Sequence, residues 1–414
     1  MIKKYKDIYL ILILCLLSLI INLLYLNYVP LFDEFGDEVD YKNLANNLFL
    51  GKGFTQDGIN PEINRVPIYP LFLSLFLFIT NDLSLIAKIT NSIFASLIPL
   101  LIYLLGSLIM DKKNALIASF IGVFYPGFIV YNFYPSSEMI FLVFFGLLYY
   151  FFIKYLNKSN NYLIILFFVL FAISSLLREE FFFFIITLSL LLIYKLKYYK
   201  VRKKQIFTGL FVFLIITMTW GMRNYYVSGF WYMPTTVMGG PVNLWQSLYY
   251  SNCDKQKMMD YKHNIIDKLP YNYSRKLVLE QSLNLIKNQP STYLNALIWN
   301  FKELFIGSHT VVIKPLAEVT FNQALKDKKY YFIIIKIILF SFNIIITTLG
   351  FIGIYLMRRN KIAMLLAFPF LFKVIIHFLT KGEIRYLIPV YPFLLIFSAV
   401  TINLIYTKYI LHYK

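Results

Sequence analysis

A chain of 414 residues that is 59% hydrophobic and 19% aromatic, with apolar runs of membrane-spanning length recurring from residue 8 to residue 407, is not a water-soluble globule. Its formal charge of +19 does not mark a nucleic-acid binder, because Lys and Arg fall in short clusters between the apolar runs, as in cytoplasmic loops at a lipid surface. Cys15 lies inside the first run and Cys253 in a polar loop, so the two are not placed to pair and no redox centre is indicated.

The sequence therefore reads as an all-α polytopic membrane protein, a single transmembrane domain over 1–414. About ten spans are predicted, at 8–28, 84–109, 115–133, 138–154, 162–177, 181–195, 205–222, 330–356, 362–380 and 387–407. The first is longer than a signal-peptide core and lacks a small-residue cleavage site, so it is expected to persist as a helix. With the N-terminus inside, the cytoplasmic segments collect Lys3, Lys4 and Lys6; Lys112 and Lys113; Lys154 and Lys158; the basic stretch 195–204; Arg358, Arg359 and Lys361; and Lys408 and Lys414. Each satisfies the positive-inside rule. The same count places two large polar segments, 29–83 and 223–329, together on the outer face. Residues 162–195 read as two short spans parted by Arg178, Glu179 and Glu180; a single kinked helix is the alternative, and it would invert everything downstream.

In the first outer loop, Asp33, Glu34, Asp37, Glu38 and Asp40 crowd the residues after the first span of an otherwise basic chain. Like charges beside a bilayer are unfavourable unless cations, solvent or a substrate answer them, which makes 29–83 the expected catalytic loop. A carboxylate in the string G-D-E-V-D-Y can serve as a general base, or simply as an acidic helix start. Residues 41–50, with Leu44, Ala45 and Leu48 on one face, and residues 68–79 are predicted as helices lying on the membrane surface. The loop 223–329, expected to bind donor and acceptor, holds an amphipathic stretch at 275–287, ended by Pro290, and an apolar piece at 293–305.

Basic residues at the outer ends of helices break the charge pattern: Arg65, Lys88, Arg178, Arg223 and Arg385. Arginine binds phosphate oxygens bidentately, so such residues suit a lipid phosphate or pyrophosphate, while Lys88 is assigned to snorkelling. Lys373 and His377, spaced i, i+4 in the ninth span, project from one face at a depth where charge is costly, so they should face a cavity or another helix. No Cys or His partner lies near them, and no metal is expected. Ser136 or Ser137 can cap the fourth span, with Glu138 in its first turn as a further carboxylate on the reactive side.

Several strings together resemble a known family. Gly36-Asp37-Glu38 with Tyr41, Ala45, Leu48 and Gly51-Lys52-Gly53-Phe54, followed by Arg65-Val66-Pro67-Ile68-Tyr69-Pro70, resembles the first outer loop of polyprenyl-phosphate-sugar-dependent glycosyltransferases. These are of the dolichyl-phosphate-mannose protein mannosyltransferase type, with the related aminoarabinose transferases, and have the GT-C fold. Trp220-Gly221-Met222-Arg223-Asn224-Tyr225 with Gly229, Gly240 and Asn243-Leu244-Trp245 resembles a W-x-x-R-N-Y segment of the bacterial members. Asn288-Gln289-Pro290 before Tyr293-Leu294 is similar to their N-P-x-x-Y/F-L, and Glu383-Ile384-Arg385-Tyr386-Leu387-Ile388-Pro389-Val390-Tyr391-Pro392 to their late E-x-R-Y-x-x-P-x-x-P. Arg178-Glu179-Glu180 departs from the Arg-Pro often found after the fifth span.

The resemblance implies a membrane-only bacterial member that takes a sugar from a polyprenyl-phosphate donor and passes it, with inversion and without metal or other cofactor, to a lipid, glycan or protein acceptor. The reaction would lie at the outer face of the cytoplasmic membrane, with the bilayer as a partner and no nucleic acid. Asp37 would be the base and Glu38 would orient the acceptor or tune the base. Arg223, Arg385, Lys373, Arg178 and Arg65 would hold the donor phosphate. Tyr41, Tyr69, Glu138, Asn224, Tyr386 and His377 would line the substrate site. A transporter or flippase of a lipid-linked or anionic substrate is the alternative, but the inverted repeats and matched broken helices of transporters are not found. A scaffold without catalysis leaves the outer carboxylates and arginines unexplained.

Overall fold

The computed structural model describes residues 2–28, 37–133, 136–158, 160–179, 184, 203–229, 239–252, 260–262, 264–266, 271–306, 319 and 321–407. Among these residues the regular structure is helical, with one isolated bridge between Thr55 and Pro61. Chain order gives α1 (Ile2–Tyr28), α2 (Asp37–Phe49), α3 (Ile68–Ser74), α4 (Leu83–Ser96), α5 (Ile98–Gly106), α6 (Lys112–Val123) and α7 (Pro126–Val130). There follow α8 (Glu138–Lys158), α9 (Asn161–Leu177), α10 (Lys203–Ser228), α11 (Gly239–Tyr250), α12 (Tyr271–Asn288), α13 (Pro290–Phe305), α14 (Phe321–Lys326), α15 (Tyr330–Leu356), α16 (Lys361–Leu379) and α17 (Tyr391–Ile405). A 3₁₀ segment, Ile384–Val390, leads into α17.

Seven helical runs among the described residues are long and apolar enough to cross a membrane: Lys6–Asn27, Leu83–Gly106, Glu138–Asn157, Lys203–Ser228, Tyr330–Leu356, Lys361–Leu379 and Ile384–Ile405. The span expected at 162–177 is present as α9, shorter than those seven. The span expected at 115–133 is not continuous. It breaks into α6, α7 and a 3₁₀ turn, because Pro126 has no N–H to give the preceding turn and holds Tyr125 extended at ψ 117°. Apart from Phe184, which is buried, the span expected at 181–195 lies outside the described residues, as do Asp33 and Glu34.

The runs containing α8 and α17 are mostly buried, whereas α1 shows most of its surface. Phe145, Tyr149 and Phe393 interlock these two central helices, with ring centroids 5.1–5.9 Å apart. α15 lies closely on α17 at Gly350 and Gly353; a Cβ on Gly353 would come within 2.0 Å of the Phe397 carbonyl oxygen. Polar side chains fasten helices where no water competes. Asn132 donates to Asn22 Oδ1 at 3.0 Å and to Ser92 Oγ at 2.9 Å, joining α1 to α4 through the turn after α7. Tyr391 donates to Asn343 Oδ1 at 2.8 Å, joining α17 to α15.

Among the described residues, the polar segments that follow α1 and α10 carry helices, as expected. Leu44 and Ala45 of α2 are fully buried, and Gly51 and Gly53, at φ +73° and +86°, turn the chain in the left-handed region that a side chain rarely adopts. In the large loop, Trp245 of α11 is fully buried beside Val278 of α12 and donates its indole N–H to Gln281 Oε1 at 2.9 Å.

Candidate active site

Six elements meet around a cavity of about 460 Å³. α2 opens with Asp37 and carries Tyr41 one turn later, the loop before α3 supplies Arg65, and α8 opens with Glu138. Arg178 follows α9 directly, the last two turns of α16 bring Lys373 and His377, and the 3₁₀ segment brings Arg385 and Tyr386. All of these line the cavity, together with Asn243 of α11, Ser137, Glu179 and Thr380.

Two arginine-centred ion clusters face one another across Asp37. In the first, Arg65 Nη2 lies 2.6 Å from Asp37 Oδ1 and 2.6 Å from Asp40 Oδ2, and Arg65 Nε reaches the same Asp40 oxygen at 3.1 Å. In the second, Glu138, only 1% exposed, receives Arg385 Nε at 2.8 Å and Arg178 Nη1 at 3.1 Å on one oxygen, Oε1. Arg385 Nη2 spans the gap, 3.7 Å from Asp37 Oδ2, too far for a hydrogen bond. Asp37 is thus engaged on Oδ1 and only approached on Oδ2. Its side chain remains 44% exposed, so it can meet a substrate.

Enclosure by itself would raise the Asp37 carboxyl, but the charges of Arg65 and then Arg385 outweigh it and hold the group below its ordinary value. The carboxylate is therefore ionised throughout the neutral range. Burial raises the Tyr41 phenol, which stays protonated beneath the Arg65 guanidinium, 5.5 Å from its ring centroid. On the opposite wall the His377 ring stacks on Tyr386, centroids 4.4 Å apart at 20°. Lys373 and His377 are both buried yet line the cavity, as their spacing requires.

Four residues named from the sequence lie apart from the cavity lining. Glu38 is buried, and Tyr69 is fully buried in the core with its ring edge-on to Tyr41 at 5.0 Å. Arg223 spends its guanidinium on main chain: it donates to the carbonyl oxygens of Glu62 and of Phe54, the latter at 3.1 Å, and lies 5.4 and 5.0 Å from the ring centroids of Phe54 and Trp220. Its remaining contact, 3.1 Å, is to Asn224 Oδ1 on the buried face of α10. Arg223 pins the loop between α2 and α3 to α10. Asp40, read from the sequence as part of a helix start, does lie in the first turn of α2 and in addition orients Arg65; its i, i+3 spacing from Asp37 on one helix face was the available signal. Asn243 had only its place in a motif, and Ser137 only a possible capping role. Among the described residues no three His, Cys, Asp or Glu side chains converge as a metal-binding group.

A family model described as dolichyl-phosphate-mannose-protein mannosyltransferase matches residues 64–222. No curated protein matches the chain. Among solved structures, the oligosaccharyltransferase AglB of Archaeoglobus fulgidus, in complex with an inhibitory peptide and a dolichol-phosphate, superposes with a TM-score of 0.58 at 14% identity, over 99% of this chain and 51% of that one. The oligosaccharyltransferase of the same organism in its apo form gives 0.58 at 13% identity, over 100% and 52%. The same enzyme with zinc and sulfate gives 0.56 at 14%, over 98% and 50%. The chain spans about half the length of these structures, and at this identity the likeness is one of fold. Arg65, Glu138 and Arg178 fall within the matched segment, Asp37 and Arg385 outside it. The chain thus shares its fold end to end with these membrane glycosyltransferase structures, and its residues 64–222 match the dolichyl-phosphate-mannose-protein mannosyltransferase family model.

Proposed function

We propose that the chain is a glycosyltransferase that moves a sugar from a polyprenyl-phosphate carrier to an acceptor on the outer face of the membrane, with inversion at the anomeric carbon. The observation that carries this reading is the convergence, in one cavity, of an accessible ionised carboxylate, Asp37, with Arg65, Arg178, Arg385 and Lys373. The family match and the dolichol-phosphate named with the AglB structure support a lipid-phosphate donor.

In this mechanism the acceptor hydroxyl or amine attacks the anomeric carbon while the bond from that carbon to the phosphate oxygen breaks. Asp37 takes the acceptor proton. A carboxylate of depressed basicity suits a proton given up late, when the attacking atom has become acidic by bonding to carbon. The departing phosphate gathers negative charge, and Arg385 and Arg178, fixed beforehand on Glu138, are placed to stabilise it without reorganising. Lys373 adds a cation from the α16 wall, and His377 with Tyr386 offers a flat surface to the sugar. Glu138 positions these arginines; Arg223 holds the loop that carries Arg65.

Asp37→Asn tests the reading. The variant should accumulate normally while transfer from a polyprenyl-phosphate sugar falls by about a hundred-fold or more. Unchanged turnover would remove Asp37 from the role of base. Mass spectrometry of surface glycans, glycolipids and glycoproteins in cells with and without the protein identifies the product; a change confined to export of a lipid-linked sugar would favour a transporter.

A further inference from the structure

The turn between α16 and the 3₁₀ segment, residues 379–383, separates Lys373 and His377 from Arg385 and Tyr386, so its shape sets the distance between two cavity walls. One side chain from the large outer loop grips it. Asn300 of α13 is fully buried. Its Nδ2 donates to the Phe378 carbonyl at 2.9 Å, where α16 ends, and its Oδ1 accepts the Gly382 N–H at 2.8 Å, on the far side of the turn. The same Oδ1 accepts Ser247 Oγ–H at 2.9 Å. Ser247 lies one turn after Asn243 on α11, and Asn243 lines the cavity. Three of the elements that build the cavity are thus bonded to one amide.

The fit around it is close. A Cβ on Gly382 would lie 2.1 Å from the Asn300 carbonyl oxygen and 2.5 Å from its Cα, so the turn approaches α13 backbone to backbone and only glycine allows it. Tyr293, two turns earlier on α13, donates its hydroxyl to the Leu379 carbonyl at 3.0 Å and adds a second grip on the turn. Nothing in this cluster touches the cavity itself; it acts on Arg385 through main chain.

We infer that Asn300 is a positioning residue, which sets the separation of the α16 and Arg385 walls and ties both to the large outer loop through Ser247. For its effect on donor binding the inference rests on the glycosyltransferase reading above.

The full chain in lipid nanodiscs provides two measurements. Hydrogen exchange followed by mass spectrometry should show the stretch 379–386 exchanging about ten-fold faster or more in Asn300→Ala than in the unmodified protein, with 391–405 unchanged. Binding of undecaprenyl phosphate should weaken about ten-fold in Asn300→Ala, and also in Arg385→Ala, whose side chain faces the cavity. Should Asn300→Ala fail to accumulate, Ser247→Ala removes one contact and carries the same two measurements with smaller shifts. Unchanged protection of 379–386 would overturn the inference. Faster exchange with unaltered undecaprenyl phosphate binding, while Arg385→Ala weakens it, would reduce Asn300 to a structural role and overturn it as well. If the unmodified protein binds no undecaprenyl phosphate, the donor reading falls, and the exchange measurement alone decides whether Asn300 holds the turn.

Discussion

Asp37 and Arg65 meet at 2.6 Å, so the protonation of one is set by the presence of the other. A carboxyl held below its ordinary value favours the folded protein at pH above the ordinary carboxylate range, and that contribution is lost as pH falls through the folded value. The acidic limb of a pH–rate profile should accordingly lie below the usual aspartate range, and Arg65→Gln should move it to higher pH. An unmoved limb would show that Asp37 is not the group titrating. Glu138 offers a different test, because it is a buried anion answering two arginines. Glu138→Gln keeps the shape and removes the charge, leaving Arg178 and Arg385 to repel one another; about 3 kcal/mol of stability should be lost, read as a lower melting temperature in detergent. These charges were legible in the sequence because acids and arginines at the span ends away from the Lys-rich loops contradict the surrounding charge pattern. Arg223 contradicts it equally. Its partners are backbone carbonyls of residues 54 and 62, which have no side-chain signature, so its anchoring role was not readable.

Helices of this protein are spaced by glycine as much as by bulk. At Gly353 the opposing atom is the Phe397 carbonyl, part of a backbone that cannot swing aside. Gly353→Ala should therefore push α15 from α17 and cost about 2 kcal/mol, measured as thermal unfolding of the purified protein. A melting temperature equal to that of the parent would mean the two helices part without penalty. Apolar run length located most of these helices, and the short helices α2, α3, α12 and α13 were visible as amphipathic or short apolar stretches. The interruption at Pro126 was legible in the Pro126-Gly127 pair but was not drawn from it, because the unbroken apolarity of 115–133 on both sides of the proline reads as one span. Asn300 was silent for another reason: it acts on Gly382, 82 residues away, through a hydrogen bond to main chain.

For the molecule as a whole, the charge distribution predicts the orientation in the membrane. On a background with Cys15→Ser and Cys253→Ser, a cysteine replacing the exposed Ile59 should react with an impermeant maleimide added to intact cells. A cysteine replacing Lys361, at the opposite end of α16 from the cavity, should react only after the membrane is opened. The reverse labelling pattern would place the cavity inside and remove the outer-face assignment. The bond from Asn132 to Asn22 also orders assembly in time. α1 is synthesised before α4, yet the amide that donates to Asn22 Oδ1 lies 110 residues further along the chain; Asn22 satisfies its own N–H groups on its own helix, at the Ser18 carbonyl and hydroxyl, while its oxygen has to wait for Asn132. α1 is consequently locked into register only after α4 and the turn beyond α7 have followed it, and biogenesis must keep it close by until they arrive.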